Sequence, residues 1–133
     1  MLSLRRETDY AIHLLKYLSK NSAAVVSLKE LSRATGISFL FLQKIARKLR
    51  IGNLIEAEKG MVGGYRLSMP KEKISLKKII IAMEGSHHIL PCYCENKKVK
   101  CVGSDKKCHL KKKMTNLNKR ISDAFEKMKL KDL

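Results

Sequence analysis

Apolar residues recur along this chain in steps of three and four, broken by short polar turns, a pattern that reads as mainly helical. Leu4, Ala11, Leu14, Leu15 and Leu18 fall on one face of a helix over residues 4–19, which Asn21 and Ser22 interrupt. Ser27-Leu28-Lys29-Glu30 is a capping-box signature: the hydroxyl takes a backbone N–H while the Glu reaches back to the cap. Leu28, Leu31 and Ala34 form the stripe of this second helix, and Gly36 suits its left-handed exit. Ser38 caps a third helix running from Phe39 to Arg50, with Phe41, Leu42, Ile45 and Leu49 as its apolar stripe. Two short helices joined through one glycine are the helix-turn-helix pattern.

Gly52 closes the third helix, and the period then changes. Leu54-Ile55-Glu56-Ala57 reads as a strand, residues 58–64 as a turn, and Tyr65-Arg66-Leu67 as a returning strand. The three form a β-wing, whose Gly60, Gly63 and Gly64 permit positive φ and close backbone approach to a partner. Pro70 separates the wing from a helix over Leu76–Glu84, which Gly85 stops. Residues 86–105 read as irregular. A last helix runs from about Lys106 to Met128, with a stripe of Leu110, Met114, Leu117, Ile121, Ala124 or Phe125, and Met128 in coiled-coil-like steps. Few segments are left to cover that stripe, so a second copy of the chain is its expected partner. The expected fold is mainly α with a small β-wing. A winged helix-turn-helix region over residues 1–70 leads into a helix, a cysteine loop and a long dimerisation helix over residues 71–133.

Composition narrows the function. The 133 residues suit one domain, and 44% hydrophobic content is enough for a core without disulfides. Lys and Arg number 29 against 12 acidic residues, a net charge of +17, which draws the chain to a polyanion. The excess is spread along the sequence: residues 1–70 carry 12 basic and 5 acidic side chains, residues 71–133 carry 17 and 7, so it is no detachable tail. Apolar runs such as Ile79-Ile80-Ile81-Ala82-Met83 fall far short of the ~20 residues a membrane span needs, which leaves nucleic acid as the expected partner. Charge arrives at once in Met1-Leu2-Ser3-Leu4-Arg5-Arg6-Glu7 with no apolar leader, so a cytoplasmic location is expected. All four cysteines lie between positions 92 and 108, which in a reducing compartment suggests metal or redox chemistry rather than disulfides. A phosphate loop, paired carboxylates and a nucleophile–base pattern are all missing from the sequence, so an enzyme is not expected.

A recognition helix reads base edges with its N-terminal side chains. Here those are Ser38, Phe39, Leu40 and Gln43, and Gln bonds bidentately to adenine. Lys44, Arg47, Lys48 and Arg50 suit phosphates, Lys59 a minor groove and Arg66 the backbone. A solvated basic face on a protein-binding three-helix domain is the plain alternative. Capping box, glycine turn, basic helix and glycine-rich wing arriving in this order favour duplex DNA.

The run Ile37-Ser38-x-x-Phe41-Leu42-x-x-Ile45-x-x-x-Leu49-Arg50-x-Gly52-x-Leu54-Ile55, followed by Gly60-x-x-Gly63-Gly64-Tyr65-Arg66-Leu67, resembles the Rrf family of winged-helix regulators, the group that includes IscR, NsrR and RirA. Thr8-Asp9-Tyr10-Ala11, Ala82-Met83-Glu84-Gly85 and Leu130-Lys131-Asp132-Leu133 extend the resemblance over nearly the whole chain. It implies a homodimer on a pseudo-palindromic operator, crossed by the long C-terminal helices.

The cysteines stand as Cys92-Tyr93-Cys94, Cys101 and Cys108. Soft thiolates gathered in one loop are what an iron–sulfur cluster or zinc requires. The resemblance implies a three-cysteine cluster site, [2Fe–2S] or [4Fe–4S], and the extra cysteine leaves Cys92 and Cys94 as alternatives for the first ligand. Even spacing favours Cys94, whereas Leu90-Pro91-Cys92-Tyr93 is similar to the family's first-cysteine context. The family often adds a fourth, non-cysteine ligand. Where it is a His three positions after the third cysteine, this chain has Lys111, and His109 directly follows Cys108. Another family solution draws on the partner's first helix, at the position matching Asp9, with a His one turn later matching His13. The plain readings are a paired carboxylate for Asp9, a solvated surface residue for His13, and simple loop residues for His87 and His88. A cluster held by both subunits would fix the separation of the recognition helices, and its loss would free them. Three alternatives stay open: structural zinc on Cys94, Cys101, Cys108 and His109; free thiols sensing peroxide; and, from another class, a basic RNA-binding module.

Overall fold

The helical period and its breaks appear in the order the sequence predicts. The computed structural model describes residues 3–88 and 109–133. In it α1 spans Arg6–Lys20, α2 Leu28–Thr35, α3 Phe39–Ile51, β1 Ile55–Glu58, β2 Gly64–Leu67, α4 Leu76–Glu84 and α5 His109–Lys127. Short 3-10 turns occupy Lys71–Lys73 and Leu130–Asp132. The fold is mainly helical with one small antiparallel sheet, in which Ile55 faces Leu67, Glu56 faces Arg66, Ala57 faces Tyr65 and Glu58 faces Gly64.

Serines cap three of the helices, two of them, Ser27 and Ser38, as expected. The Oγ atoms of Ser27, Ser38 and Ser75 accept the backbone N–H of Glu30, Phe41 and Lys78 at 3.2, 3.3 and 3.3 Å, each satisfying an orphan donor of a first turn. Gly36 ends α2 in the left-handed region at φ 71°, as a helix exit followed by a new cap demands. One core joins Leu14, Leu15 and Leu18 of α1, Leu31 of α2, Leu42, Ile45 and Leu49 of α3, and Ile79 and Met83 of α4. Each such aliphatic side chain contributes about 1.5–3 kcal/mol on full burial. The C-terminal turn closes this core. Leu130 is buried, its N–H donates to Ile74 O, and Leu76 N–H donates to Met128 O, both at 2.8 Å.

Several expectations are corrected by contacts that lie far apart in sequence. Leu4 stands exposed ahead of α1 rather than on its buried face. The helix instead begins at Arg6 because Glu84 Oε1, from α4, accepts from Arg5 N at 3.0 Å and from the buried Thr8 Oγ1 at 2.6 Å. Only half of the Ser27 capping box forms: the Glu30 carboxylate accepts from Tyr17 Oη at 3.2 Å instead of reaching back. Ala34 is exposed, since the eight-residue α2 buries Leu28 and Leu31 alone. The first strand starts at Ile55, not Leu54, which lies buried just before it. On the last helix Phe125 is half-buried while Ala124 is exposed, which resolves that alternative; the stretch 106–108 of its expected range lies outside the described residues.

The wing glycines act mostly on the chain itself. Of the three, Gly60 takes a positive φ, at 152°. Gly64 is needed for close approach: Tyr65 exchanges backbone hydrogen bonds with Val26 at 2.8 and 3.0 Å, and a Cβ at Gly64 would overlap the Val26 carbonyl and stand 2.9 Å from Ser27 N. That bridge docks the wing onto the segment before α2. Gly64→Ala should therefore lower stability by about 1–3 kcal/mol, because backbone rather than a flexible side chain must yield. Urea unfolding checks this, and an unchanged midpoint would show that the wing is not held at Val26.

Candidate nucleic-acid interface

Leu42, Ile45, Ala46 and Leu49 are buried, and their i, i+3, i+4, i+7 spacing fixes the rotation of α3. The opposite face then carries Phe39, Leu40, Gln43, Lys44, Arg47 and Arg50, all exposed, behind the exposed cap Ser38. Leu40 is 77% exposed, a placement no core can explain. Phe41 leans inward, its ring edge-on to Tyr10 at 5.5 Å between centroids. Lys48 is half-buried at the border of the two faces. Lys59 stands exposed on the wing, and Arg66 is exposed on β2.

The expected phosphate-binding cations divide into two classes. Arg47, Arg50 and Lys59 make no ion pair among the described residues. Lys44 and Lys48 both donate to Glu7, one to each carboxylate oxygen at 2.6 Å, and Lys48 also donates to the Met83 carbonyl at 3.3 Å. The Lys44 and Lys48 hydrogen bonds hold the Glu7 carboxyl down to about 2, far below the usual carboxylate range, so it is ionised at neutral pH. Arg66 pairs across the strands with Glu56 at 2.7 Å, with Glu58 at 3.9 Å. Glu7 was not legible as a site residue: it lies 37 and 41 positions from its partners, and only the packing of α1 against α3 joins them. Met61 and Val62, exposed at the wing tip, were also missed; two apolar residues between Gly60 and Gly63 were the available signal.

Asp9 and His13 sit one turn apart on the exposed side of α1, with Asp9 Oδ1 3.6 Å from His13 Nε2. Cys92, Cys94, Cys101 and Cys108 lie outside the described residues, and His109 opens α5. Among the described residues no group of three or more His, Cys, Asp and Glu is gathered closely enough to hold a metal. His87 and His88 lie in the loop after α4, as expected. Their rings stack at 4.4 Å between centroids, Asn118 Nδ2 donates to His88 Nδ1 at 2.9 Å, and desolvation followed by the His88 and Lys77 charges pushes the His87 pKa down. On α5, Leu110 and Leu117 are exposed, as is Met128 just after it, while Met114, Ile121 and Phe125 are half-buried. Among the described residues no helix is long and apolar enough to cross a membrane.

Comparison with known proteins agrees with this arrangement. The family model Rrf2, described as "Iron-dependent Transcriptional regulator", matches residues 4–133. The chain is similar to protein aau3 of Rhizobium meliloti, at 34% identity over 92 residues that cover 69% of this chain and 60% of that one. It thus spans about 60% of the length of this and comparable relatives. A second similarity, 27% over 133 residues, covers 99% of the chain and 92% of the HTH-type transcriptional regulator NsrR of Bacillus licheniformis. In fold it resembles CymR, the global cysteine regulator of B. subtilis, with a TM-score of 0.74 at 21% identity over 99% of this chain and 95% of that one. The chain belongs to the Rrf2 family, whose members are transcriptional regulators and not enzymes.

Proposed function

We propose that the chain is a homodimeric DNA-binding repressor whose α3 enters the major groove and whose wing meets the minor groove, with residues 1–70 reading DNA and 71–133 joining the two copies. The observation that carries this reading is the face of α3 on which Leu40, Gln43, Arg47 and Arg50 stand exposed beside the wing, in a chain of net charge +17. Ser38, Phe39, Leu40 and Gln43 address base edges, and Arg47, Arg50 and Lys59 address phosphate and minor groove. Lys44, Lys48 and Arg66 reach phosphate only by leaving their carboxylate partners.

Selection of operators from random duplexes, followed by binding of variants, tests this assignment. Gln43→Ala should relax preference at one base pair, costing about 1–3 kcal/mol there. Arg47→Ala and Lys59→Ala should each weaken binding to all sequences and flatten the salt dependence by about 0.9. Variants that bind every duplex as the wild type does would sink the assignment of α3 and the wing to DNA.

The exposed Leu110 and Leu117 on α5 support pairing of two chains along that helix. Leu117→Glu should give monomers in sedimentation at micromolar concentration and weaken operator binding, since each subunit reads half a site. A wild type that sediments as a monomer refutes the pairing.

The signal is proposed to be iron–sulfur status, redox or nitric oxide, received at an iron–sulfur cluster on the cysteine loop. The family's description as iron-dependent supports it, as does the donor set: thiolates at 92, 94, 101 and 108, with Asp9 and His13 exposing an oxygen and a nitrogen donor together on α1. Bound there, the cluster would supply redox and ligand-exchange chemistry. Cys101 and Cys108 belong to every three-cysteine set, Cys92 and Cys94 compete for the first ligand, and Asp9 is the preferred fourth ligand ahead of His109 and His13. Cys101→Ala or Cys108→Ala should abolish sulfide and iron uptake on anaerobic reconstitution, whereas Asp9→Ala should leave uptake intact and shorten the lifetime in air. Stoichiometric zinc without sulfide in the wild type overturns the cluster and leaves the DNA reading standing.

A further inference from the structure

The recognition helix of a strongly basic protein faces a difficulty. Every exposed cation on it attracts any stretch of DNA equally, and arbitrary sequence vastly outnumbers operators. Two of the four cations on α3 are withdrawn from that attraction in a definite geometry. Glu7 lies in the first turn of α1, 18% exposed, and divides its two oxygens between Lys44 and Lys48 at 2.6 Å each. Lys48 is held a second way by the Met83 carbonyl at the end of α4. Lys44 remains 56% exposed and Lys48 30%, so both ammonium groups stay within reach of solvent while electrically answered from inside the molecule. Arg47 and Arg50, on the same helix, have no such partner among the described residues. The wing shows the same division between Arg66, paired with Glu56, and Lys59, which has no ion-pair partner among the described residues.

We infer that Glu7 is an internal counter-ion that withholds Lys44 and Lys48 from phosphate on arbitrary DNA, and so sets the sequence selectivity of the recognition helix. Counterion release explains how. A lysine that neutralises a phosphate releases condensed cations and contributes about 0.9 to the slope of log affinity against log salt. A lysine kept on Glu7 contributes nothing. When α3 is seated fully in the groove of a matched site, the phosphates lie close enough to exchange with the carboxylate, and the contacts are then made only there. The inference rests on the reading that α3 faces DNA.

The test uses the full chain and a mixed-sequence duplex without a palindrome, titrated between about 50 and about 200 mM salt. Glu7→Gln, which keeps the side chain's length and removes its charge, should bind this duplex roughly tenfold tighter and steepen the salt slope by about 1 to 2. Glu72→Gln, the same charge change on an exposed turn away from α3, should leave the slope at the wild-type value. In the triple variant Glu7→Gln with Lys44→Ala and Lys48→Ala, the slope should return to wild type. Glu7→Asp, too short to reach both lysines, should fall between, and serves where Glu7→Gln folds poorly. A wild-type slope in Glu7→Gln, an equal gain in Glu72→Gln, or a steep slope retained in the triple variant each overturns the inference. Arg47→Ala separates the two levels of the argument. If it leaves affinity for the duplex unchanged, the placement of α3 on DNA has failed; if it weakens binding while Glu7→Gln has no effect, the role of Glu7 alone has failed.

Discussion

The rotation of α3 about its own axis decides what this protein presents to a partner. Four buried residues, Leu42, Ile45, Ala46 and Leu49, occupy one face of a thirteen-residue helix. Rotating the helix by one position would expose that set and drive charged neighbours into the core. At about 1.5–3 kcal/mol per aliphatic side chain, the cost would exceed a large part of the stability of a domain this size. The exposed positions are therefore fixed indirectly. Gln43, Arg47 and Arg50 are outside because their neighbours must be inside, and the ridge they form is as rigid as the core behind it. The wing inherits the same frame through Leu54 and Ile55, buried in that core, and through the Val26–Tyr65 bridge.

Electrostatics works against this packing rather than with it. A chain of net charge +17 repels itself, and the repulsion is sharpest where cations are collected on one surface. Glu7, Glu56 and Glu84 each answer a cation, on α3, on β2 and ahead of α1, at 2.6, 2.7 and 3.1 Å respectively. Glu7 and Glu84 also do structural work, joining α1 to α3 and to α4. Few acids are available, 12 in the whole chain, so their positions matter more than their number. Exposed ion pairs taken singly contribute about 0–1 kcal/mol. Their larger effect here is on which charges remain free to meet a polyanion.

What the sequence revealed and what it concealed follow a rule of range. Serine caps at 27 and 38 and glycine exits at 36 and 85 depend on hydrogen bonds spanning a few residues, so local chemistry predicts them. The helix-turn-helix and wing followed from those caps and from the change of period after Gly52. Glu30 departed from its expected bond because Tyr17, thirteen residues away, competed for the carboxylate. Leu4 left the expected stripe because Glu84, 79 residues from Arg5, caps α1 later than the periodicity implies. The phosphates that Lys44, Lys48 and Arg66 were expected to meet were read from residue type alone, which cannot see an acid delivered by another helix or by the paired strand. Gly64 was recognised as special, but for approach to a partner; the neighbour it accommodates is the protein's own Val26 backbone.

These long-range contacts converge on one junction, and its position is informative. Thr8 and Arg5 of the α1 start bond Glu84, Lys48 of α3 bonds the adjacent Met83 carbonyl, and Glu7 bonds back to Lys48. Three helices are thus tied at the C-terminal end of α4, three residues before His87. From there the chain enters the stretch that carries all four cysteines and returns at α5, where Asn118 holds His88. His88, the last described residue before that stretch, follows α4, and His109, the first after it, opens α5; α4 packs on both α3 and α5. A shift of the last turn of α4 would move the carbonyl that grips Lys48 and the carboxylate that starts α1.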